Sequence, residues 1–186
     1  MTQPGRYVAL LRAINVGGHT VKMDRLRGLF EQLGLANVAT FIASGNVIFD
    51  APGAEPRALE QQIEAHLHAA LGYAVATFLR APGELAAIAS HQPRGLPEPA
   101  EDIRSLYVAF LREPPAPAAA ERLLVFESPN DQLFVHGREV YWLSRSGIGE
   151  SPLSGPTFER LLGMPATVRN ITTVRKLAAK YAPQPA

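Results

Sequence analysis

The spacing of apolar residues in the first half of the chain changes several times, which predicts short strands and helices in alternation. Apolar residues at helical spacing predict one helix from Met23 to Leu33 and another from Leu59 to Leu71. Each predicted helix is followed by a glycine that suits a left-handed C-cap. The segments predicted as strands are 7–11, 38–42, 47–49 and 73–79. The predicted order is therefore βαββαβ.

A second copy of this order is predicted later in the chain. The segment Tyr107–Arg112 matches Tyr7–Arg12 at five of six positions, one hundred residues further on. The strands predicted after it are 106–111, 132–135, 139–143 and 166–168, and the helices are 118–126, 156–162 and 174–181. The sequence thus predicts an internal duplication with one additional C-terminal helix.

Prolines mark the boundary between the two halves, because residues 82–129 hold 8 of the 16 prolines. Proline does not suit a helix interior or a central strand. We therefore predict a first βαββαβ half at 1–81, a proline-rich linker with a short helix at 82–103, and a second half with the C-terminal helix at 104–186. A βαββαβ unit of this size commonly folds as a ferredoxin-like split βαβ sandwich. The predicted fold class is α+β with two antiparallel sheets.

This topology has a consequence for function, because it places the loop after the first strand beside the turn between the second and third strands. The two segments are Asn-Val-Gly-Gly at 15–18 and Ser-Gly-Asn at 44–46, about thirty residues apart. Paired glycines can present backbone N–H groups, and the following helix N-terminus and Lys22 add positive charge. We predict a binding site for a small anionic or nucleotide-like ligand, formed by Arg12, Asn15, Gly17, Gly18, Lys22, Ser44, Gly45 and Asn46.

Simpler interpretations of the same residues stay open. The glycine pair also suits a tight connection that needs a positive φ, and Ser-Gly-Asn suits an ordinary hairpin turn. As a nucleophile, Ser44 would need a base, for which His19 is the nearby candidate. Because neither a nucleophile–base pair nor a metal triad is recognisable, the sequence assigns no reaction class and leaves enzymatic activity open, and we expect no cofactor or metal site.

A second polar loop, 144–155, contains four serines, three glycines and Arg145 before a predicted helix. It is expected at the opposite edge of its sheet, as is the end of the last strand. The secondary candidate site comprises Ser151, Arg169, Asn170 and Lys176. The alternative interpretation is a mobile polar loop.

Composition narrows the classes of function. The 18 Lys and Arg residues and the 17 Asp and Glu residues leave a formal net charge of +1, which does not favour a strong electrostatic grip on nucleic acid. The absence of cysteine excludes disulfides and thiolate chemistry in this chain. No apolar stretch approaches the roughly 18 residues of a membrane span. Since no signal-peptide pattern is present either, we expect a cytoplasmic protein without a membrane partner.

Two other functions are compatible with the sequence. RNA could bind through aromatic residues on an exposed sheet face or through a basic C-terminal helix. The aromatic residues are Tyr107, Phe110, Tyr141 and Trp142, and the basic residues are Arg169, Arg175, Lys176 and Lys180. Basic residues at a helix C-terminus are also an ordinary match to its dipole. The other alternative is a protein-interaction or self-association module that pairs exposed strand edges.

Several segments together resemble one family. They are 7–18, Lys22-Met23, Leu26 and 44–49, followed by Gly147–Gly149, Ser151, Leu153, Leu162-Gly163, Thr167, Arg169-Asn170, Thr173-Val174 and Lys176-Leu177. In these segments the chain resembles the bacterial family catalogued as domain of unknown function 1697. The resemblance spans nearly the whole chain and implies a two-part α+β fold without an established activity. Pro152 stands where that family usually has lysine, which weakens an anion site around Ser151.

Overall fold

The computed structural model describes residues 5–96, 105–153 and 155–181. The strands are β1 Arg6–Leu11, β2 Ala36–Thr40, β3 Asn46–Asp50, β4 Thr77–Arg80, β5 Leu106–Phe110, β6 Asp131–His136, β7 Glu139–Ser144 and β8 Thr167–Asn170. The helices are α1 Met23–Gln32, α2 Pro56–Leu71, α3 Pro82–Ser90, α4 Pro117–Leu124, α5 Pro156–Leu162 and α6 Ile171–Tyr181. Residues 97–103 of the predicted linker and residue 104 of the predicted second half lie outside the described residues.

The chain forms two compact units, and the boundary between them falls within α3: the first unit extends to Leu85, and the second covers Ala86–Tyr181. Each unit contains one four-stranded antiparallel sheet, with the orders β2-β3-β1-β4 and β6-β7-β5-β8. The prediction of a two-part α+β fold with antiparallel sheets is therefore confirmed, and both orders are those of a split βαβ unit.

In the first unit, alternation along β1 directs every second residue into the core beneath α1 and α2. Ala9 and Leu11 are buried in this core together with Phe30 of α1 and Ile63 of α2. Burial of side chains as large as these last two stabilises the fold by about 1.5–3 kcal/mol each. Gly34 has a φ of 77° after α1, so the predicted left-handed helix end is confirmed.

Two predicted strands of the first unit differ from the structure at their ends. Strand β2 ends at Thr40 rather than at residue 42, because Ile42 has a φ of 51°, which is incompatible with extended backbone. Strand β4 begins at Thr77 rather than at residue 73, and Tyr73 instead stacks on His19. The irregular segment after β2 and the one before β4 are therefore longer than the sequence predicts.

The second unit has a core between its sheet and helices α4 and α5. Trp142 of β7 stacks on Phe158 of α5, with ring centroids 5.5 Å apart and an interplanar angle of 6°. The indole Nε1 donates a 2.7 Å hydrogen bond to Asp131 Oδ1, so the buried carboxylate and indole satisfy each other. Helix α6 packs against β5 and β8.

The burial of the second sheet corrects one prediction. Phe110, Tyr141 and Trp142 are fully or almost fully buried, and Tyr107 is half-buried. Phe110, Tyr141 and Trp142 are therefore unavailable for base stacking, because a base cannot reach buried rings. Among the helices in the described ranges, none combines the length and apolar character that crossing a bilayer requires.

Candidate functional site

The loop after β1 and the turn before β3 lie side by side at one edge of the first sheet, as predicted from the topology. Asn15 Nδ2 donates a 2.9 Å hydrogen bond to the carbonyl oxygen of Ala43. Leu11 N donates a 2.8 Å hydrogen bond to the carbonyl oxygen of Gly45. These contacts confirm the predicted proximity of the two segments. We call residues 12–22 and 41–46 together the glycine edge.

Gly45 is required at this edge for two independent reasons. Its φ is 74°, a conformation that side chains other than glycine rarely adopt. A Cβ at this position would also lie 2.9 Å from Ile14 Cβ and 3.1 Å from Leu11 Cβ. Glycine therefore permits the close approach of the two segments.

Asn15 acts as a clamp within the glycine edge. While its Nδ2 donates to Ala43, its Oδ1 accepts a 2.7 Å hydrogen bond from Val21 N. One side chain thus closes its own loop and joins that loop to the neighbouring turn. This geometry gives Asn15 a positioning role, since both ends of its amide are engaged by the chain.

Asn46 has a similar internal role. The residue is fully buried, and its Nδ2 donates hydrogen bonds to Phe41 O at 3.0 Å and to Ser44 Oγ at 2.9 Å. A ligand in solvent does not reach a fully buried amide, so Asn46 shapes the turn. The Ser44 hydroxyl has its hydrogen-bond partner in Asn46, and His19 stacks on Tyr73 at 3.8 Å. The two side chains of the considered nucleophile–base pair therefore have other partners.

Backbone strain concentrates at the glycine edge. Ala13, Asn15 and Ile42 have φ values of 62°, 55° and 51°, and they are three of the four non-glycine residues with positive φ in the described ranges. This conformation costs an ordinary residue such as Ala13 or Ile42 of the order of 1–3 kcal/mol, whereas asparagine adopts it more readily. It persists in ordinary residues only where the surrounding contacts impose it. Strain of this kind is characteristic of segments that have a function beyond folding.

The glycine pair is one of the exposed parts of the glycine edge. Gly17 and Gly18 have φ values of 60° and 86°, and a Cβ built on either one meets no atom within 4 Å. Lys22 is exposed and occupies the N-cap position of α1, where its side chain makes no capping hydrogen bond. Arg12 is half-buried at the start of the same loop. One loop therefore contains open backbone and two cationic residues and leads to a helix N-terminus.

The sequence did not predict three features of this edge. Val16 and Ile42 are apolar but 59% and 53% exposed, and His19 lies against Tyr73 with an interplanar angle of 19°. Burial raises the pKa of Tyr73, although the positive charge of Arg25 opposes the shift. The sequence did carry a signal for the exposure of Val16 and Ile42. Each is an apolar residue close to glycine and asparagine residues that are typical of loops.

Most residues of the secondary candidate site make hydrogen bonds within their own segments of the chain. Ser151 Oγ accepts a 3.2 Å hydrogen bond from Leu153 N, and Asn170 Oδ1 accepts one of 2.8 Å from Thr172 N at the start of α6. Arg169 is buried, and desolvation lowers its pKa to about 10.

The guanidinium of Arg169 also has partners close in sequence. Its Nη1 donates to Thr167 Oγ1 at 2.8 Å and to Val168 O at 2.9 Å. Lys176 is exposed on α6. Among the described residues, no group of three His, Asp or Glu side chains is arranged to hold a metal ion.

Comparison with known proteins identifies a family and a fold. A family model described as "Protein of unknown function (DUF1697)" matches residues 5–141. No curated protein matches the chain. A solved structure of a conserved bacterial protein, SP0830 from Streptococcus pneumoniae, is 21% identical, covers 96% of this chain and 99% of its own, and has a TM-score of 0.71. At this identity the likeness concerns the fold alone.

Proposed function

This chain belongs to the DUF1697 family of proteins of unknown function, and from its own residues we propose that the glycine edge binds a small anionic ligand. The ligand class is a phosphate or carboxylate group, carried by a nucleotide-like or other small molecule. The proposal follows from the combination of exposed backbone and positive charge at this edge.

One observation carries the proposal: the exposed Gly17-Gly18 backbone lies in the loop that leads to the N-terminus of α1. The N-cap side chain of that helix, Lys22, makes no capping hydrogen bond. The amides of the first helical turn lack intrahelical acceptors and carry partial positive charge. An anion at this position would accept hydrogen bonds from backbone amides and would be attracted by Lys22.

The residues of the glycine edge then divide into two roles. In this proposal Gly17 and Gly18 offer backbone N–H groups, Arg12 and Lys22 supply charge, and Ser44 supplies a hydroxyl. Asn15, Gly45 and Asn46 hold the two segments in place through the contacts described above. This division narrows the set of predicted ligand contacts, because three of the predicted contact residues, Asn15, Gly45 and Asn46, hold the protein's own segments together.

A thermal-shift titration with inorganic phosphate, nucleotides and sugar phosphates tests the proposal. A ligand present at roughly 100 times its Kd adds about 2.7 kcal/mol to the free energy of unfolding. We expect stabilisation of the wild-type chain, and a much smaller effect on Lys22→Ala. Arg160→Ala is the matched control, because it removes an exposed cation from α5 at a residue that belongs to neither candidate site. The absence of stabilisation by any anion, or equal stabilisation of Lys22→Ala and wild type, would contradict the proposal.

RNA binding by α6 is the second candidate function. Lys176 and Lys180 are both exposed and lie four residues apart, and therefore on one face of the helix. Arg175 is occupied in part by a hydrogen bond from its Nε to Ala89 O. Binding of single-stranded RNA that weakens steeply with salt and is lost in Lys176→Glu/Lys180→Glu would support this function. Undetectable binding at low salt would exclude it.

A further inference from the structure

Two histidines of the second unit, distant in sequence, stack face to face. His91 follows directly after α3, and His136 is the last residue of β6. The imidazole centroids are 3.9 Å apart, with an interplanar angle of 20°. The Tyr141 ring also contacts His91, at a centroid distance of 4.9 Å. The end of α3 is thus in contact with the β6–β7 hairpin.

The carbonyl groups at the end of α3 have side-chain partners from two other elements. Tyr141 Oη of β7 donates a 2.9 Å hydrogen bond to Ile88 O, and Arg175 Nε of α6 donates one of 3.4 Å to Ala89 O. Carbonyl groups in the last turn of a helix lack intrahelical donors, so these bonds satisfy acceptors that the helix leaves open. His91 itself continues the helical pattern, since its N–H donates to Ala87 O at 3.0 Å.

Charged residues lie on the elements that meet at the two imidazoles and on the segments next to them. Glu139 of β7 is buried and pairs with His136 in the hairpin register. Arg138 precedes Glu139, and the hydrogen bond from Leu111 N to Arg138 O places Arg112 at the same end of the sheet. On α6, Arg175 contacts the end of α3. Arg94 lies on the segment that follows His91.

These surroundings disfavour a proton on His91. Burial lowers the pKa of His91, His136 lowers it further, and Glu139 acts in the opposite direction. Burial raises the pKa of Tyr141, so that its hydroxyl stays a hydrogen-bond donor through the neutral range. Histidine is therefore the group in this contact that changes its charge at moderately acid pH.

We infer that the stack of His91 on His136 is a pH-sensitive clasp, which holds the C-terminal end of α3 on the β6–β7 hairpin when the imidazoles are neutral and releases it when both are protonated. Two imidazolium rings in van der Waals contact repel each other, whereas two neutral rings attract. The contact between the C-terminal end of α3 and the β6–β7 hairpin therefore depends on pH.

The sign of the effect follows from the direction of the shift. Because the pKa of His91 is lower in the closed state than in the open state, the open state binds more protons as the pH falls. The clasp is closed when the pH is above the ordinary histidine pKa. Its contribution to the stability of the closed state is lost as the pH falls through the lowered pKa of His91. The hydrogen bonds of Tyr141 and Arg175 to α3 would then break more often.

Hydrogen exchange of the full chain, followed by mass spectrometry between about pH 8 and pH 5 and corrected for intrinsic rates, tests the clasp. We expect protection of amides 86–91 to fall by about fivefold at the acid end, since two unit charges about 4 Å apart repel by at least this factor even with the screening of water. Amides of β1 in the first unit serve as the internal reference and should not respond.

The variant His136→Phe keeps a ring for stacking but cannot be protonated. We expect it to reduce the pH response of amides 86–91 and to raise the pKa of His91, measured by NMR, because the opposing charge is gone. His68→Phe replaces an exposed histidine on α2 and is the matched control. His91→Phe should also lose the response, so a folding defect in one variant does not prevent the test. Equal pH response in wild type, His136→Phe and His91→Phe, or no response in wild type, would overturn the inference.

Discussion

Replacing Asn15 with alanine tests whether this residue clamps the glycine edge. The change removes the hydrogen bonds to Ala43 O and from Val21 N, at 2.9 Å and 2.7 Å. Each contributes about 0.5–1.5 kcal/mol net. Alanine would also have to adopt the φ of 55° at this position, which costs about 1–2 kcal/mol more in an ordinary residue. We expect a loss of about 2–5 kcal/mol in the free energy of unfolding.

Two further variants separate these contributions in urea unfolding. Asn15→Gly loses the same hydrogen bonds without the backbone penalty, so it should be about 1 kcal/mol more stable than Asn15→Ala. Asn15→Asp keeps the acceptor for Val21 N and loses the donor to Ala43 O, so it should lie between wild type and alanine. Hydrogen exchange at the Val21 amide reports the local opening. Wild-type stability in Asn15→Ala, or an order in which glycine is the least stable variant, would refute the clamp.

Two other changes probe contacts of the first unit. Gly45→Ala should destabilise the fold markedly more than Gly18→Ala in urea unfolding. Both positions have a positive φ, but only at Gly45 would a Cβ collide with a neighbour, at 2.9 Å from Ile14 Cβ. Equal losses of stability in the two variants would contradict this. Asp50→Asn should flatten the decline of stability as the pH falls below the ordinary value of 3.8. The hydrogen bond from Arg6 lowers the pKa of Asp50, so the stability that this carboxylate contributes is lost as the pH falls through the lowered value. An unchanged pH profile for Asp50→Asn would show that another carboxylate dominates.

The proximity at the glycine edge was predictable because it depends on topology alone. Once β1, α1, β2 and β3 are assigned from their apolar patterns, a split βαβ unit places the two connections at one end of the sheet. No side-chain position enters that argument. The predicted helix end at Gly34 followed in the same way from local chain geometry.

The roles of individual side chains were not predictable from the same patterns. Asn15 and Asn46 are polar residues in loops, and their sequence context does not distinguish a ligand contact from a hydrogen bond to the chain's own carbonyl groups. That distinction depends on backbone angles such as the φ of 55° at Asn15. The stack of His91 on His136 joins residues that only the tertiary fold brings together.

The burial of the second sheet is another feature that the sequence pattern alone does not predict. Alternation along β7 places Tyr141 and Trp142 on opposite faces, and the pattern alone left one face open to solvent. In the structure Trp142 packs against α5, while Tyr141 donates to the Ile88 carbonyl of α3. The helix that contacts Tyr141 lies in the segment predicted as a linker, so the sequence did not predict that this face is covered.

The most direct test of anion binding at the glycine edge is a titration of the isotope-labelled chain with inorganic phosphate and with a nucleotide, followed by the backbone amide resonances. We predict saturable shifts at Gly17, Gly18 and the first turn of α1, and much weaker binding by Lys22→Ala. Saturable binding that leaves these amides unshifted, or no binding of either compound, would contradict the proposal.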